Sequence, residues 1–296
     1  MSNTSPLIRL SSDVLCLQCN NPSPLTGPGT NTFLVGQNDI AVIDPGPDDP
    51  DHLEHILAAV PDGARVTKVL VTHSHLDHSP NARVLADRVD APIYAYGADG
   101  TGRSDVMQDL GERADLGGGE GRDHRFVPDI TLVDGQTLAH DGQLLTALHT
   151  PGHYGNHMAY QWGRTAFTGD LVMAWATTLV SPPDGDVSDF LASCRKLADA
   201  GLETLYAAHG QAITDPSQRL ADLITHRTTR EAEVLSALRD GPATPSALTE
   251  HIYAQVPKHL WPAAQRNVLA HLIDLTARNM VKCEGPFGPD EKFTLR

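Results

Sequence analysis

His73, His75, Asp77 and His78 put four side chains of metal-ligand type within six consecutive positions, in the segment Thr72-His73-Ser74-His75-Leu76-Asp77-His78. Imidazole nitrogens and carboxylate oxygens suit zinc and neighbouring transition metals, and a catalytic site leaves one coordination position open to water. On an extended or turning segment His73 and His75 point the same way, while Asp77 and His78 leave toward a second point. One short segment therefore supplies half of a two-metal site.

The elements around the cluster come from periodicity and turn chemistry. Residues 66–71 are apolar and β-branched, which predicts a buried strand that delivers the cluster at its end. Strands are also expected within 7–19, at 31–35 and at 39–43, the last ending in Asp44-Pro45-Gly46-Pro47. Asp44 is expected either to form that turn or to accept a hydrogen bond from a ligand histidine and fix its ring. Leu53, Ile56, Leu57 and Val60 give a helical stripe over 50–60 that leaves His52 and His55 solvated. A second helix is expected over 81–89 with Val84, Leu85 and Val89 inward, then a strand at 92–96. The glycine-rich stretch 97–125, including Gly117-Gly118-Gly119-Glu120-Gly121, reads as a surface excursion over a pocket.

Strands resume at 130–133, 143–149, 158–162 and 165–168, and a helix over 188–200 leads to a strand at 204–207. Four more ligand-type residues sit at the ends of these elements: His153 and His157 in Thr150-Pro151-Gly152-His153-Tyr154-Gly155-Asn156-His157, Asp170 after Thr168-Gly169, and His209 before Gly210. Strands interspersed with helices, without strict alternation, predict a layered α/β sandwich.

The segments at Asp44, at His73 to His78, and at His153, Asp170 and His209, in that order, resemble the metallo-β-lactamase superfamily. Asp77 and Asp170 resemble its two-metal hydrolases, such as glyoxalase II and its relatives, more than the antibiotic-degrading enzymes. The resemblance implies an αββα sandwich and a cofactor of two Zn2+ ions, with Mn2+ or Fe2+ as alternatives. It implies that His73, His75 and His153 hold one metal, that Asp77, His78 and His209 hold the other, and that Asp170 bridges them. A hydroxide bridging the metals would then be the nucleophile, so no Ser or Cys nucleophile is required. Asp77 would also orient the attacking water, and His157 would donate to substrate, support the metal shell or make a structural hydrogen bond. Tyr154 stands where many relatives have Thr. Met173 and Trp175, just past Asp170, are expected to pack in the core rather than line the pocket.

Beyond His209 the pattern turns helical, over 220–238, 245–253 and 262–278, followed by a hairpin from 280–284 and 292–295. Three helices and a hairpin resemble a winged-helix module, so residues 1–218 are expected to form the catalytic domain and 219–296 the C-terminal one. That layout is similar to the lactamase-beta-2-like branch of the superfamily, which includes thioesterases on carrier-bound acyl chains and single-stranded RNA endonucleases.

Over 296 residues the formal charge is −15, which disfavours a nucleic acid held by a broad basic surface. Glu250, His251, Gln265, Arg266, Asn267 and Arg278 make the winged-helix-like part a mixed surface. It is expected to pack, wall the pocket or join two copies of the chain. Cys16 and Cys19 have no second pair and read as core or edge thiols. Met1 to Leu10 has no signal pattern and no apolar run spans a membrane, so the expected location is cytoplasmic. The leading expectation is a metal-dependent hydrolase of a small ester or thioester. An endoribonuclease with the same centre comes second, and a DNA-binding regulator with a metal sensor site third.

Overall fold

A computed structural model describes residues 7–113, 116–119, 121–285 and 287–296. Residues 1–6 of the N-terminal segment, and Glu120 of the glycine-rich stretch, lie outside the described residues.

The first sheet holds β1 (Leu7–Arg9), β2 (Val14–Gln18), β3 (Asn31–Val35), β4 (Asp39–Ile43), β5 (Arg65–Leu70), β6 (Ile93–Ala95) and β7 (Ile130–Thr131), side by side in chain order. Pairing is antiparallel from β1 to β4 and parallel from β4 to β7. The second sheet holds β8 (Thr137–His140), β9 (Gln143–His149), β10 (Met158–Trp162), β11 (Thr165–Phe167) and β12 (Thr204–Tyr206), in the order β12-β11-β10-β9-β8.

Side-chain alternation explains why the sheets stack. On β3, Phe33 and Val35 face the second sheet, meeting Met158, Tyr160 and Phe167, while Leu34 faces the other way. That outer face is covered by α1 (Pro50–Ala59) and α2 (Asn81–Val89) through Leu53, Ile56 and Leu85. The second sheet's outer face is covered by α4 (Val187–Asp199) and α5 (Pro216–Ala237) through Phe190, Leu197, Leu220 and Leu223. The result is the expected αββα sandwich. Helix starts follow local chemistry: Asp49 caps α1, Asp186 caps α4 and Asp215 caps α5, each accepting from backbone N–H groups of the first turn.

The C-terminal part holds α6 (Pro245–Ile252), α7 (Trp261–Ala277) and the hairpin β13 (Val281–Cys283) with β14 (Phe293–Leu295). Leu248, Leu269, Leu272 and Phe293 form its core together with Val234 and Leu238 at the end of α5. The expected division after residue 218 falls in the first turn of α5, a helix that runs through both parts.

Several expectations need correcting. The glycine-rich stretch contains a helix, α3 (Asp105–Arg113), whose Met107 is buried against the C-terminal core. Val84 is exposed, because α2 turns Ala82, Leu85 and Ala86 inward instead. His52 is buried, not solvated, with its Nε2 2.8 Å from the Thr32 hydroxyl. Cys16 and Cys19 are buried free thiols, as expected.

Candidate metal centre

The ligand-type residues converge from the C-terminal ends of four strands, β5, β9, β11 and β12. Cross-links between the two sheets hold those ends together. Met158 N donates to the Thr72 carbonyl at 2.7 Å, and Asn31 N donates to the Ala208 carbonyl at 2.7 Å. Gly169 has a positive φ of 47°, and a Cβ there would sit 2.5 Å from His157 Nε2, so the turn into Asp170 requires glycine.

Two groups form. His73, His75, His153 and Asp170 make one, and Asp77, His78 and His209 the other, with the ligand atoms of each group all within 4.8 Å of one another. In the first, His75 Nδ1 lies 2.8 Å from His73 Nε2 and 3.2 Å from His153 Nε2. In the second, Asp77 Oδ2 is 3.3 Å from both His78 Nε2 and His209 Nε2. Asp170 lies between them: its Oδ2 is 3.7 Å from His153 Nε2, and its Oδ1 is 3.1 Å from His209 Nε2 and 3.6 Å from His78 Nε2. Every residue expected at the centre except His157 belongs to one of these groups.

The outward-facing ring nitrogens have fixed partners. Asp44 Oδ2 lies 3.0 Å from His78 Nδ1, the Leu179 carbonyl 2.8 Å from His153 Nδ1, and the Gly29 carbonyl 3.3 Å from His209 Nδ1. The Thr72 hydroxyl donates to Asp44 Oδ2 at 2.7 Å, so toward His73 Nδ1, 3.1 Å away, it acts as the acceptor. Each of these bonds leaves the other ring nitrogen aimed at the centre. Of the two expectations for Asp44, the contact with a histidine of the candidate centre is present, from Oδ2 to His78 Nδ1.

Electrostatics separates the groups. Burial, then the neighbouring rings, pushes His73 well below the usual imidazole range and His75 down to about 3. In the second group burial works in the same direction but the carboxylates prevail. Asp77 and Asp170 draw His78 well up, and Asp170 draws His209 up to about 10. Burial would raise Asp77 and Asp170, yet His78 and His209 hold both well below the carboxylate range. Carboxylates that pull imidazoles toward protonation mark a place that favours positive charge.

That donor set fits a metal. His78 Nε2 and Asp170 Oδ1 are buried without an aligned hydrogen bond among the described residues. Three ring nitrogens facing one another cannot all be satisfied by protons of their own, whereas a cation accepts all their lone pairs at once.

His157 is fully buried beneath the centre, its Nδ1 3.0 Å from the Thr150 hydroxyl and its ring 5.2 Å from that of His73. Tyr154 packs edge-on against His75, with ring centroids 4.7 Å apart, and its hydroxyl donates to Asp99. Arg122 donates to the same carboxylate at 2.7 Å. Neither Asp99 nor Arg122 stood out in the sequence, because each is a single charge in a glycine-rich stretch. Met173 is buried as expected, but Trp175 is 50% exposed and lies against Gly27 and Gly210, beside His209.

A model described as the metallo-beta-lactamase superfamily matches residues 25–209, and one described as the beta-lactamase associated winged helix domain matches residues 244–287. The chain is 27% identical over 297 residues to a beta-lactamase-like protein 2 homolog of Drosophila melanogaster, covering 96% of this chain and 94% of that one. It is 28% identical over 265 residues to an atrochrysone carboxyl ACP thioesterase of Aspergillus chevalieri, covering 84% and 76%. A beta-lactamase domain protein from Burkholderia ambifaria shares its fold with a TM-score of 0.80 at 20% identity, covering 100% of this chain and 96% of that one. With the first match spanning more than half of its length, the chain belongs to the metallo-β-lactamase superfamily, as a metal-dependent hydrolase with an associated winged helix domain.

Proposed function

We propose that this chain hydrolyses a small acyl thioester at a two-metal centre. In this reading His73, His75 and His153 hold one cation, Asp77, His78 and His209 hold the other, and Asp170 joins them. Residues 1–218 carry the centre and 219–296 form the C-terminal domain. The observation that carries the substrate class is Trp175, a half-exposed indole seated against the glycine that follows His209. An aromatic face next to the centre offers an acyl chain an apolar surface to lie along. The exposed Leu76, between His75 and Asp77, adds to that apolar rim.

Two Zn2+ ions would supply Lewis acidity, making water acidic near neutral pH and polarising the thioester carbonyl. The side chains do the rest. Asp77 is the most open of the carboxylates, with its side chain 26% exposed, and is placed to accept a hydrogen bond from the attacking water and orient it. His157, closed off from solvent, supports the centre from below rather than meeting substrate.

The thioesterase named among the relatives supports the same substrate class. In the C-terminal part Arg230 pairs with Glu233, Arg278 with Glu231 and Asp274, and Arg227 is buried, while Arg239, Lys258, Lys282 and Lys292 are exposed. The formal charge of −15 disfavours a nucleic acid held by a broad basic surface. Among the described residues no helix is long and apolar enough to cross a membrane. The cytoplasmic location expected from the sequence goes with this reading.

Assaying acyl thioesters and single-stranded RNA side by side, with Asp77→Ala and His75→Ala as controls, tests the proposal. Thioester turnover lost in both variants is the expected result. RNA cleavage lost in both, with no thioester turnover in the parent, would overturn it. Elemental analysis of the purified protein should find about two metal equivalents.

A further inference from the structure

The segment between Asp170 and α4 reaches two residues of the centre, an aspartate and a histidine. Thr178 donates its hydroxyl to the Asp170 carbonyl, and the next residue, Leu179, offers its carbonyl to His153 Nδ1 at 2.8 Å. Two consecutive residues thus fix one backbone and one ring of the first ligand group.

What holds that segment comes from the C-terminal helices. Arg227, on α5, is 1% exposed and has no carboxylate within ion-pair distance among the described residues. Its guanidinium donates instead to the Thr178 carbonyl and, at 2.7 Å, to Asn267 Oδ1 on α7. The same amide oxygen accepts from Val180 N at 3.0 Å. One residue earlier on α7, Arg266 donates to Ser181 Oγ at 2.9 Å and to the Pro182 carbonyl. A buried cation costs several kcal/mol unless its donors are satisfied, so a guanidinium spent on one carbonyl and one amide oxygen is a costly fixture. These three side chains thus join the C-terminal helices to the segment that carries Thr178 and Leu179.

We infer that Arg227, Asn267 and Arg266 are positioning residues of the metal centre: the C-terminal domain clamps residues 178–182, and through Thr178 and Leu179 sets the positions of Asp170 and His153. The inference rests on the ligand assignment proposed above. It gives the C-terminal domain a role in metal binding that requires no nucleic acid.

The test uses the full chain with Co2+ and Zn2+, comparing the parent with Asn267→Leu, Asn267→Asp and Arg266→Gln. Leucine removes the shared acceptor, whereas aspartate keeps an oxygen for both Arg227 and Val180 N. Asn267→Leu is expected to weaken metal binding about 10- to 100-fold in competition with a chelator, and to alter the Co2+ absorption spectrum. Asn267→Asp should restore both. Arg266→Gln, which leaves the buried Arg227–Asn267 pair intact, should shift both readouts in the same direction and serves if Asn267→Leu does not fold. Parent affinity and spectrum in the folded variants would overturn the clamp, as would an Asn267→Asp that does not rescue. A parent chain that binds no metal is seen before any variant is compared, and it removes the ligand assignment itself together with the inference built on it.

Discussion

His78 Nδ1 lies 3.0 Å from Asp44 Oδ2, with both side chains buried. The carboxylate accepts only, so the Nδ1 proton is fixed and Nε2 is turned toward Asp77 and Asp170. Asp44 itself sits at φ 50°, a region uncommon for residues other than glycine. Its side chain compensates by accepting from Thr72 N and Thr72 Oγ1, both at 2.7 Å. A backbone held in the left-handed region thus places one carboxylate where it orients the strand end and the His78 ring together.

Replacing Asp44 with Asn tests that coupling. Asparagine tolerates the same backbone but offers one acceptor oxygen where the carboxylate offers two. With Thr72 and His78 competing for it, metal affinity is expected to fall about 10- to 100-fold. Chelator competition on the purified variant measures this, and an affinity equal to the parent's would show that His78 is oriented by something else.

The centre was more legible in the sequence than its supports. Candidate ligands announce themselves because His and Asp cluster at strand ends beside glycine, and β5, β9, β11 and β12 all have readable apolar periodicity. The supports carry no such signature. The Leu179 carbonyl is a backbone atom, Thr178 is one hydroxyl among many, and Arg227 lies on a helix whose stripe gives no reason to bury a guanidinium. Trp175 was misread for a related reason: apolar character alone does not distinguish a core residue from a rim residue. His52 was misread because α1 turns it toward the Thr32 hydroxyl, a partner on β3 that helical spacing cannot reveal.

Tyr154→Phe separates the ring from the hydroxyl. The ring keeps its edge-on contact with His75, while Asp99 loses one donor and retains Arg122 and His124. Loss of a hydrogen bond to a charged acceptor is expected to cost about 1.5–3 kcal/mol of stability. Urea unfolding measures it, and metal content should match the parent; a drop in metal content would mean that the hydroxyl, not the ring, holds His75.

Acid should destabilise the fold through buried neutral histidines. Burial, then the nearby Arg227, pushes His271 down to about 3, and neither of its ring nitrogens has a hydrogen bond among the described residues. Burial likewise pushes His52 down to about 4. A folded value below the unfolded one means stability is full above pH ~6.5 and is lost as pH falls toward the folded value. At pH 5.5 each group should remove on the order of 1 kcal/mol relative to neutral pH. Unfolding curves of the parent and His271→Leu at pH 7.5 and 5.5 test this: the variant's pH-dependent loss should be smaller by that amount, and identical losses would refute the assignment.

Trp175 gives the sharpest test of the substrate class. Its indole is half exposed, rests against Gly27 and Gly210, and is pinned from behind by Arg219, which donates to the Met173 carbonyl at 2.8 Å and to the Ala176 carbonyl at 2.6 Å. Alanine there removes the apolar face without touching a ligand, so metal content should be unchanged. If an acyl chain lies along the indole, the contact contributes about 1.5 kcal/mol, and KM for a long-chain thioester should rise about tenfold. An acetyl thioester is too short to gain that contact and should keep its KM. Measuring KM across chain lengths in the parent and Trp175→Ala decides it: equal changes at every length would mean the acyl group lies elsewhere, and the apolar rim would then lose its place in the choice of substrate.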